Sequence, residues 1–358
     1  MRLKFSTALE LTGKLLFRQP LFIFGYFCPR MKQFETHRIF SIGKASEFND
    51  LALDVFRFQF ENNVVYQDFC QHLKKGPETV SHYLDIPFLP ISFFKTHRVL
   101  STQKEVETIF TSSGTTQSTT SKHLVPDIKL YENSFLRAFE YFYEAPKEIC
   151  ILALLPSYLE REGSSLIYMV DYLINKSNHP DSGFYLHNLD ELHQKLLDLE
   201  QKNTKTLLIG VSFALLDLAE QFPMKLNNTT VMETGGMKGR RKELIREELH
   251  HILTQGLGVD MIHSEYGMTE LLSQAYSKGN GIFQTPPWMK IITRDTEDPL
   301  SIQAYGKTGG INVIDLANVY SCSFIATQDL GKTHANGSFE VLGRFDDSDI
   351  RGCNLMVL

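Results

Sequence analysis

The densest run of reactive side chains is Thr111-Ser-Ser-Gly-Thr-Thr-Gln-Ser-Thr-Thr120, where every residue except Gly114 and Gln117 carries a hydroxyl and none is apolar. Such a run cannot bury itself. Its backbone N–H groups and hydroxyls (Thr111, Ser112, Ser113, Thr115, Thr116) can surround a phosphate, with Gly114 letting the main chain approach closely. Taken alone, the composition fits an exposed Ser/Thr-rich turn better. A second stretch, Glu233-Thr-Gly-Gly-Met-Lys-Gly-Arg-Arg241, falls where an apolar strand gives way to a helix. Gly235 and Gly236 can turn tightly and admit a flat base, while Lys238, Arg240 and Arg241 lie near a helix start that can face phosphates. An ordinary strand-to-helix turn with solvated cations explains those residues equally well.

His263-Ser-Glu-Tyr-Gly-Met-Thr-Glu270 follows another apolar run and opens a possible helix. Tyr266, Thr269 and Glu270 then stand at the carboxyl end of a sheet, where open α/β folds bind ligands. An aromatic face, a hydroxyl and a carboxylate suit a purine, a phosphate oxygen and Mg²⁺. Core packing for Tyr266 and a solvated carboxylate for Glu270 are the alternatives, and His263 reads as a core histidine. Further on come Ala326-Thr-Gln-Asp-Leu-Gly331 and Gly343-Arg-Phe-Asp-Asp-Ser-Asp-Ile-Arg-Gly-Cys353. Asp329 can accept from both hydroxyls of a ribose, and Arg344 can meet a nucleotide or a nearby acid. Polar turns flanking a hairpin are the competing reading, and the aspartates lack EF-hand spacing.

These stretches need a scaffold, and the hydrophobic pattern supplies one. Helical spacing between residues 47 and 75 breaks at Asn62-Asn63, and Pro87 and Pro90 enforce an extended segment. From residue 130 helices and short apolar strands alternate: helices over 130–143, 164–174, 192–199, 214–221 and 241–253, strands over 148–155, 183–187, 205–211, 229–233 and 259–263. Short buried strands separated by helices require a largely parallel sheet covered on both faces. From about residue 282, glycines and turns separate strand-like runs at 289–293, 310–315, 323–327 and 338–341, a smaller β-rich region.

Composition excludes other classes. Apolar content of 42%, charged content of 22% and net charge of -6 describe a globular chain and argue against a general nucleic-acid binder. Five scattered cysteines without CxxC spacing suit free thiols in a reducing, cytoplasmic setting. Residues 1–30 form a basic leader whose apolar run Leu21–Phe27 is too short to span a bilayer; Met31 is an alternative start, and surface attachment of an amphipathic leader a weaker reading.

In order, the hydroxyl-rich loop, the Gly-Gly turn, Tyr-Gly-Met-Thr-Glu, Thr-Gln-Asp and Gly-Arg-Phe-Asp-Asp resemble the adenylate-forming superfamily of acyl and aryl ligases. Leu155-Pro-Ser-Tyr-Leu-Glu-Arg-Glu-Gly-Ser-Ser165, Met232 to Arg241 and Asp349-Ile-Arg-Gly-Cys353 are more specifically similar to the acyl-protein synthetase subunit of the fatty-acid reductase complex of luminous bacteria. The resemblance implies an α/β large domain over residues 31–342, divided into an α/β core (31–281) and a β-rich subdomain (282–342), with a hinge-like tail at 343–358.

By motif, the resemblance implies that Thr111 to Thr116 hold ATP phosphates, Gly235 and Gly236 border the adenine, and Tyr266 stacks on it. Thr269 meets the α-phosphate, Glu270 holds Mg²⁺, Asp329 binds the ribose, and Arg344 marks the end of the large domain. Cys353 matches the cysteine that carries the acyl group as a thioester. Gln117 replaces a usual glycine and the customary Pro-Lys-Gly is absent. The mobile C-terminal domain of about 100 residues that carries a catalytic lysine in larger relatives is also expected to be missing. Lys238, Arg240 or a partner subunit is left to supply that cation. The implied reaction activates a fatty acid with ATP and passes it to Cys353 and then to a partner acyl reductase or acyl-carrier protein. An acyl-CoA or acyl-carrier-protein ligase, and a non-catalytic nucleotide-binding partner subunit, are the alternatives.

Overall fold

Asn63 shows how single side chains set the element boundaries. Its backbone leaves the helical region, and its Oδ1 accepts from Tyr66 N–H at 3.1 Å, ending helix α1 (Ala45–Asn62) and capping α2 (Val64–His72). The same amide donates to Ser101 Oγ and to the Ser321 carbonyl, so the break is also a tertiary anchor. The computed structural model describes residues 34–112, 120–156, 163–186, 188–235 and 244–345. Expectations for Ser113, Gly114, Thr115, Thr116, Gly236, Lys238, Arg240, Arg241 and Cys353 lie outside the described residues.

After α2 the proline-rich segment is extended, as its missing N–H groups require, and forms the short strand β1 (Leu89–Pro90) before a single helical turn, α3 (Phe93–Thr96). Strands β2 (Thr108–Thr111) and β3 (Lys122–Val125) then pair antiparallel, with Thr111 opposite Lys122. The hydroxyl-rich loop therefore connects the two arms of a hairpin, a strand the sequence pattern does not announce. Helix α4 (Ile128–Phe142) follows, capped by Asp127, whose Oδ1 accepts from Leu130 N–H. It buries Leu130, Tyr131, Ser134, Phe135, Ala138, Phe139 and Phe142, a stripe at helical spacing.

The alternating pattern becomes β4 (Cys150–Leu154), α5 (Ser165–Ser177), β5 (Gly183–Tyr185), α6 (Leu189–Gln201), β6 (Thr206–Val211), α7 (Ser212–Gln221), β7 (Thr229–Thr234), α8 (Arg246–Leu257) and β8 (Ile262–Tyr266). These strands pair parallel in the order β5-β4-β6-β7-β8. The chain then adds β9 (Ala275–Ser277), β10 (Ile282–Gln284), β11 (Met289–Arg294), β12 (Thr308–Asp315), β13 (Phe324–Thr333) and β14 (Phe339–Arg344). They continue the same sheet antiparallel, in the order β8-β9-β10-β14-β13-β12-β11, with β1 parallel to β13. Among the described residues, one twelve-stranded mixed sheet thus runs through the α/β region and the β-rich region alike.

The bounds of α8 and β8 differ from the sequence reading. Helix α8 begins at Arg246 and passes through Gly256, where a Cβ would sit 2.8 Å from Ala219 of α7; it stops at Gly258, whose φ of +60° suits glycine. The close packing of two helices uses a glycine that reads in sequence as a terminator. Strand β8 accordingly starts and ends three residues later than expected, and Tyr266 belongs to it. Among the described residues, no helix is long and apolar enough to cross a membrane.

Gln59 of α1 is fully buried and joins α1 to the turn after β12. Its Nε2 donates to the carbonyls of Asn318 and Val319 and to Ser323 Oγ, and its Oε1 accepts from Ser323 N–H at 3.0 Å. Gln59→Leu leaves those backbone groups buried and unpaired, and should lower the unfolding free energy by about 2–4 kcal/mol in urea titration.

Candidate active site

No helix opens at Tyr266–Glu270. Residues 267–274 instead form an irregular segment between β8 and β9, because side chains from other elements take the backbone groups a helix would use. Asp315, at the end of β12, accepts from Leu272 N–H at 2.7 Å and Ser273 N–H at 2.9 Å through Oδ2, and from the Ser273 hydroxyl at 2.6 Å through Oδ1. Asn318 Nδ2 donates to the Glu270 carbonyl at 2.7 Å. The His123 ring of β3 donates from Nδ1 to the Thr269 carbonyl at 2.8 Å, with Nε2 2.9 Å from Asn318 Oδ1. Burial pushes Asp315 up to about 6 and His123 down to about 4, although hydrogen bonds oppose both shifts. Asp315, Asn318 and His123 are thus the residues that hold Thr269 and Glu270 in place.

Glu270 is 5% exposed. Burial raises its carboxyl above the usual range, opposed by a hydrogen bond with Ser121 and by the charges of Arg344 and Lys95. Ser121 closes the mouth of the hydroxyl-rich loop: its N–H donates to Ser112 Oγ at 2.9 Å, and its carbonyl accepts from Ser112 N–H at 3.1 Å. Thr111 is held from outside by Gly163, whose carbonyl accepts Thr111 N–H at 2.8 Å. On the other side of Glu270, the Tyr266 hydroxyl donates to Asp329 Oδ2 at 2.8 Å, and Arg344 Nε lies 3.5 Å from Asp329 Oδ1. The Tyr266 ring packs against Phe283 and Phe339. Burial raises the Asp329 carboxyl, against the Tyr266 hydrogen bond and the charges of Arg344 and Arg294. The residues singled out at 111–112, 266–270, 329 and 344 therefore gather at the carboxyl end of β8 in two bonded groups, with the Arg344 charge acting on Glu270.

Gly235 is exposed at the end of β7 with φ of +69°, and its carbonyl accepts from Ser212 Oγ at 3.2 Å. Two carboxylates lie beside it, Glu233 buried and Glu265 half-buried. Glu233 accepts from Ser212 and Ser264 and faces His250 at 3.4 Å and Arg246 at 3.6 Å. Burial would raise it, yet those partners leave it below its ordinary value. Glu265 accepts from the Thr234 hydroxyl at 2.6 Å, and burial with the nearby Glu233 charge pushes it up to about 7. None of Ser121, His123, Glu265, Asp315 or Asn318 stands out by motif. The available signal was polar residues inside otherwise apolar runs, at Lys122-His-Leu-Val125 and Ile311-Asn-Val-Ile-Asp315.

The fold has known counterparts. MatB of Rhodopseudomonas palustris, solved with ATP bound, superposes with a TM-score of 0.52 at 17% identity, covering 68% of this chain and 49% of MatB. A 2-hydroxyisobutyryl-CoA ligase in the postadenylation state gives a TM-score of 0.60 at 12% identity, over 84% of this chain and 68% of the ligase. The chain therefore shares the fold of these two structures. Residues 41–358 match the family model described as "Acyl-protein synthetase, LuxE", and the chain belongs to that family. Over 66 residues it is 41% identical to long-chain-fatty-acid--luciferin-component ligases of Photorhabdus luminescens and Vibrio harveyi. That match spans 18% of this chain, 56% of the Photorhabdus sequence and 17% of the Vibrio one.

The half-buried Glu265 carries a pH signature. Its folded pKa lies above the unfolded value, so the native state binds the extra proton, and its contribution to stability is lost as pH rises from about 4.5 towards 7. Glu265→Gln removes that loss. Relative to wild type the variant should gain stability between pH 5 and pH 8, by up to about 1.4 kcal/mol per pH unit, in urea titrations at the two pH values. A stability difference that stays constant with pH would show that Glu265 does not titrate this way.

Proposed function

We propose that this protein activates a fatty acid with ATP as an acyl adenylate and transfers the acyl group to a cysteine thiol. The observation that carries the reading is the grouping of two pairs at the end of a parallel strand, Ser112–Ser121 bonded on to Glu270 and Arg344–Asp329 bonded on to Tyr266, with the Arg344 charge acting on the buried Glu270 carboxylate. ATP binding by the solved MatB and the ligase names of the relatives support it.

In this reading Thr111, Ser112 and the rest of the loop through Thr116 receive the phosphates, Gly235 and Gly236 border the base, and Tyr266 and Asp329 hold the nucleoside. A carboxylate oxygen of the acid attacks the α-phosphorus and pyrophosphate leaves with the electrons of the broken P–O bond; donors at Thr269 and cations at Arg344 and Lys238 stabilise the charge that develops. The thiolate of Cys353 then attacks the acyl carbon, and AMP leaves as the C–O bond breaks. Glu270 fits a divalent cation. Among the described residues no group of three or more His, Cys, Asp or Glu could hold a metal, but Mg²⁺ that keeps phosphates and water as its other ligands asks for only one or two carboxylates. Mg²⁺ bound there supplies neutralisation of phosphate charge. Delivery to an acyl reductase or a carrier protein completes the proposal.

Fatty-acid-dependent exchange of pyrophosphate into ATP should be measurable and should fall at least about 100-fold in Glu270→Gln; no exchange with any acid, with or without a partner present, makes this chain a non-catalytic nucleotide-binding subunit. Separately, label from radioactive acid and ATP should remain on the denatured chain and disappear in Cys353→Ser. Label that persists in that variant, or that moves only to added coenzyme A, removes Cys353 as acceptor.

A further inference from the structure

The face of the sheet that turns towards α4 is unexpectedly polar just beyond Gly267. Glu265 lies opposite Tyr276 in the β8–β9 pairing and opposite Thr234 in the β7–β8 pairing, so the three side chains share a face. Gln274, two residues before Tyr276, joins them: a Cβ at Gly267 would overlap Glu265 Oε1 and lie 3.3 Å from Gln274 Cγ. Helix α4 covers this face, with the Phe142 ring 5.4 Å from Tyr276 and Ser134 Oγ 2.9 Å from Ser273 Oγ. Gln274 is 4% exposed and Tyr276 2% exposed, yet Gln274 Oε1 and the Tyr276 hydroxyl have no hydrogen-bond partner in the protein. These are the unpaired buried side-chain polar atoms among the described residues.

Buried polar atoms are nearly always paired, so two orphans on one face need a partner. The amide oxygen can only accept, and the phenol can donate or accept. A hydroxyl serves both at once, donating to Gln274 and accepting from Tyr276. A ketone cannot serve the amide oxygen, and an ammonium cannot accept from the phenol. A hydrocarbon chain would leave both unmet. Gly267 links this patch to the reacting end of the site, since Tyr266 precedes it and Thr269 stands two residues after it.

We propose that Gln274 and Tyr276, beside Glu265 and Thr234, form a subsite that takes a hydroxyl substituent near the carboxyl end of the acid, so that the preferred substrate is a hydroxylated rather than a plain fatty acid. The proposal rests on the acid-activation reading above. The test is pyrophosphate exchange by the full chain with acids of equal length, unsubstituted, hydroxylated at successive carbons near the carboxyl, or amino-substituted. One hydroxylated acid should exceed its unsubstituted counterpart by about tenfold or more in kcat/KM. That ratio should fall towards one in Tyr276→Phe and in Gln274→Leu. Equal or lower kcat/KM for every hydroxylated acid in wild type overturns the subsite and assigns the orphan atoms to ordered water. Preference for the amino acid analogue, or a hydroxyl preference untouched in both variants, overturns it too. No exchange with any acid is a different failure, that of the activation reading itself.

Discussion

Everything at the site hangs on one buried carboxylate. Asp315 has no solvent exposure and spends its two oxygens on Leu272 N–H, Ser273 N–H, the Ser273 hydroxyl and Ala317 N–H. Those bonds replace the i to i−4 ladder that residues 266–274 would otherwise build, because a backbone donor taken by a side chain is not available to a helix. The consequence is directional. Thr269 and Glu270 are turned towards the hydroxyl-rich hairpin and the end of β14 rather than carried along a helix axis. Asn318, three residues after Asp315, reinforces the geometry by holding the Glu270 carbonyl, and His123 does so from the hairpin side.

The topology explains why antiparallel strands matter to a site at the end of parallel ones. Strand β8 is the last parallel strand, and β9 pairs antiparallel with it, so the chain must reverse between them. The reversal puts residues 267–274 at the carboxyl end of the sheet, the place where open α/β sheets meet ligands. Strands β13 and β14 then bring Asp329 and Arg344 alongside, opposite one another in register. Residues far apart in sequence thus become neighbours through strand pairing rather than through loop excursions.

Charge in this region is arranged by burial more than by number. Glu233 is held ionised by Arg246, His250 and two hydroxyls, whereas Glu265, one strand over, has a single hydroxyl partner and is pushed up to about 7. Two carboxylates on adjacent strands are tolerated because their environments push their proton affinities in opposite directions. Arg294 adds a half-buried cation whose charge acts on Asp329, pinned through its guanidinium to the carbonyls of Ile311 and Thr327.

Much of the architecture was legible in the sequence because burial imposes periodicity. The alternation of apolar strands and helices from residue 130, the Asn63 break and the extended Pro87–Pro90 segment all follow from side-chain spacing and backbone chemistry that act locally. The motifs at 111–116, 233–241, 266–270, 329 and 344 were likewise visible as residue types with nothing to do in a core. Tertiary structure alone decided the rest. A glycine at 256 continues a helix because Ala219 needs the space, residues 267–274 refuse a helix because Asp315 claims their N–H groups, and Gln274 and Tyr276 become a polar pair only when β9 folds back on β8. Such outcomes depend on partners outside any local window, 43 positions away for Leu272 and Asp315 and 264 for Gln59 and Ser323, and no local pattern can encode them.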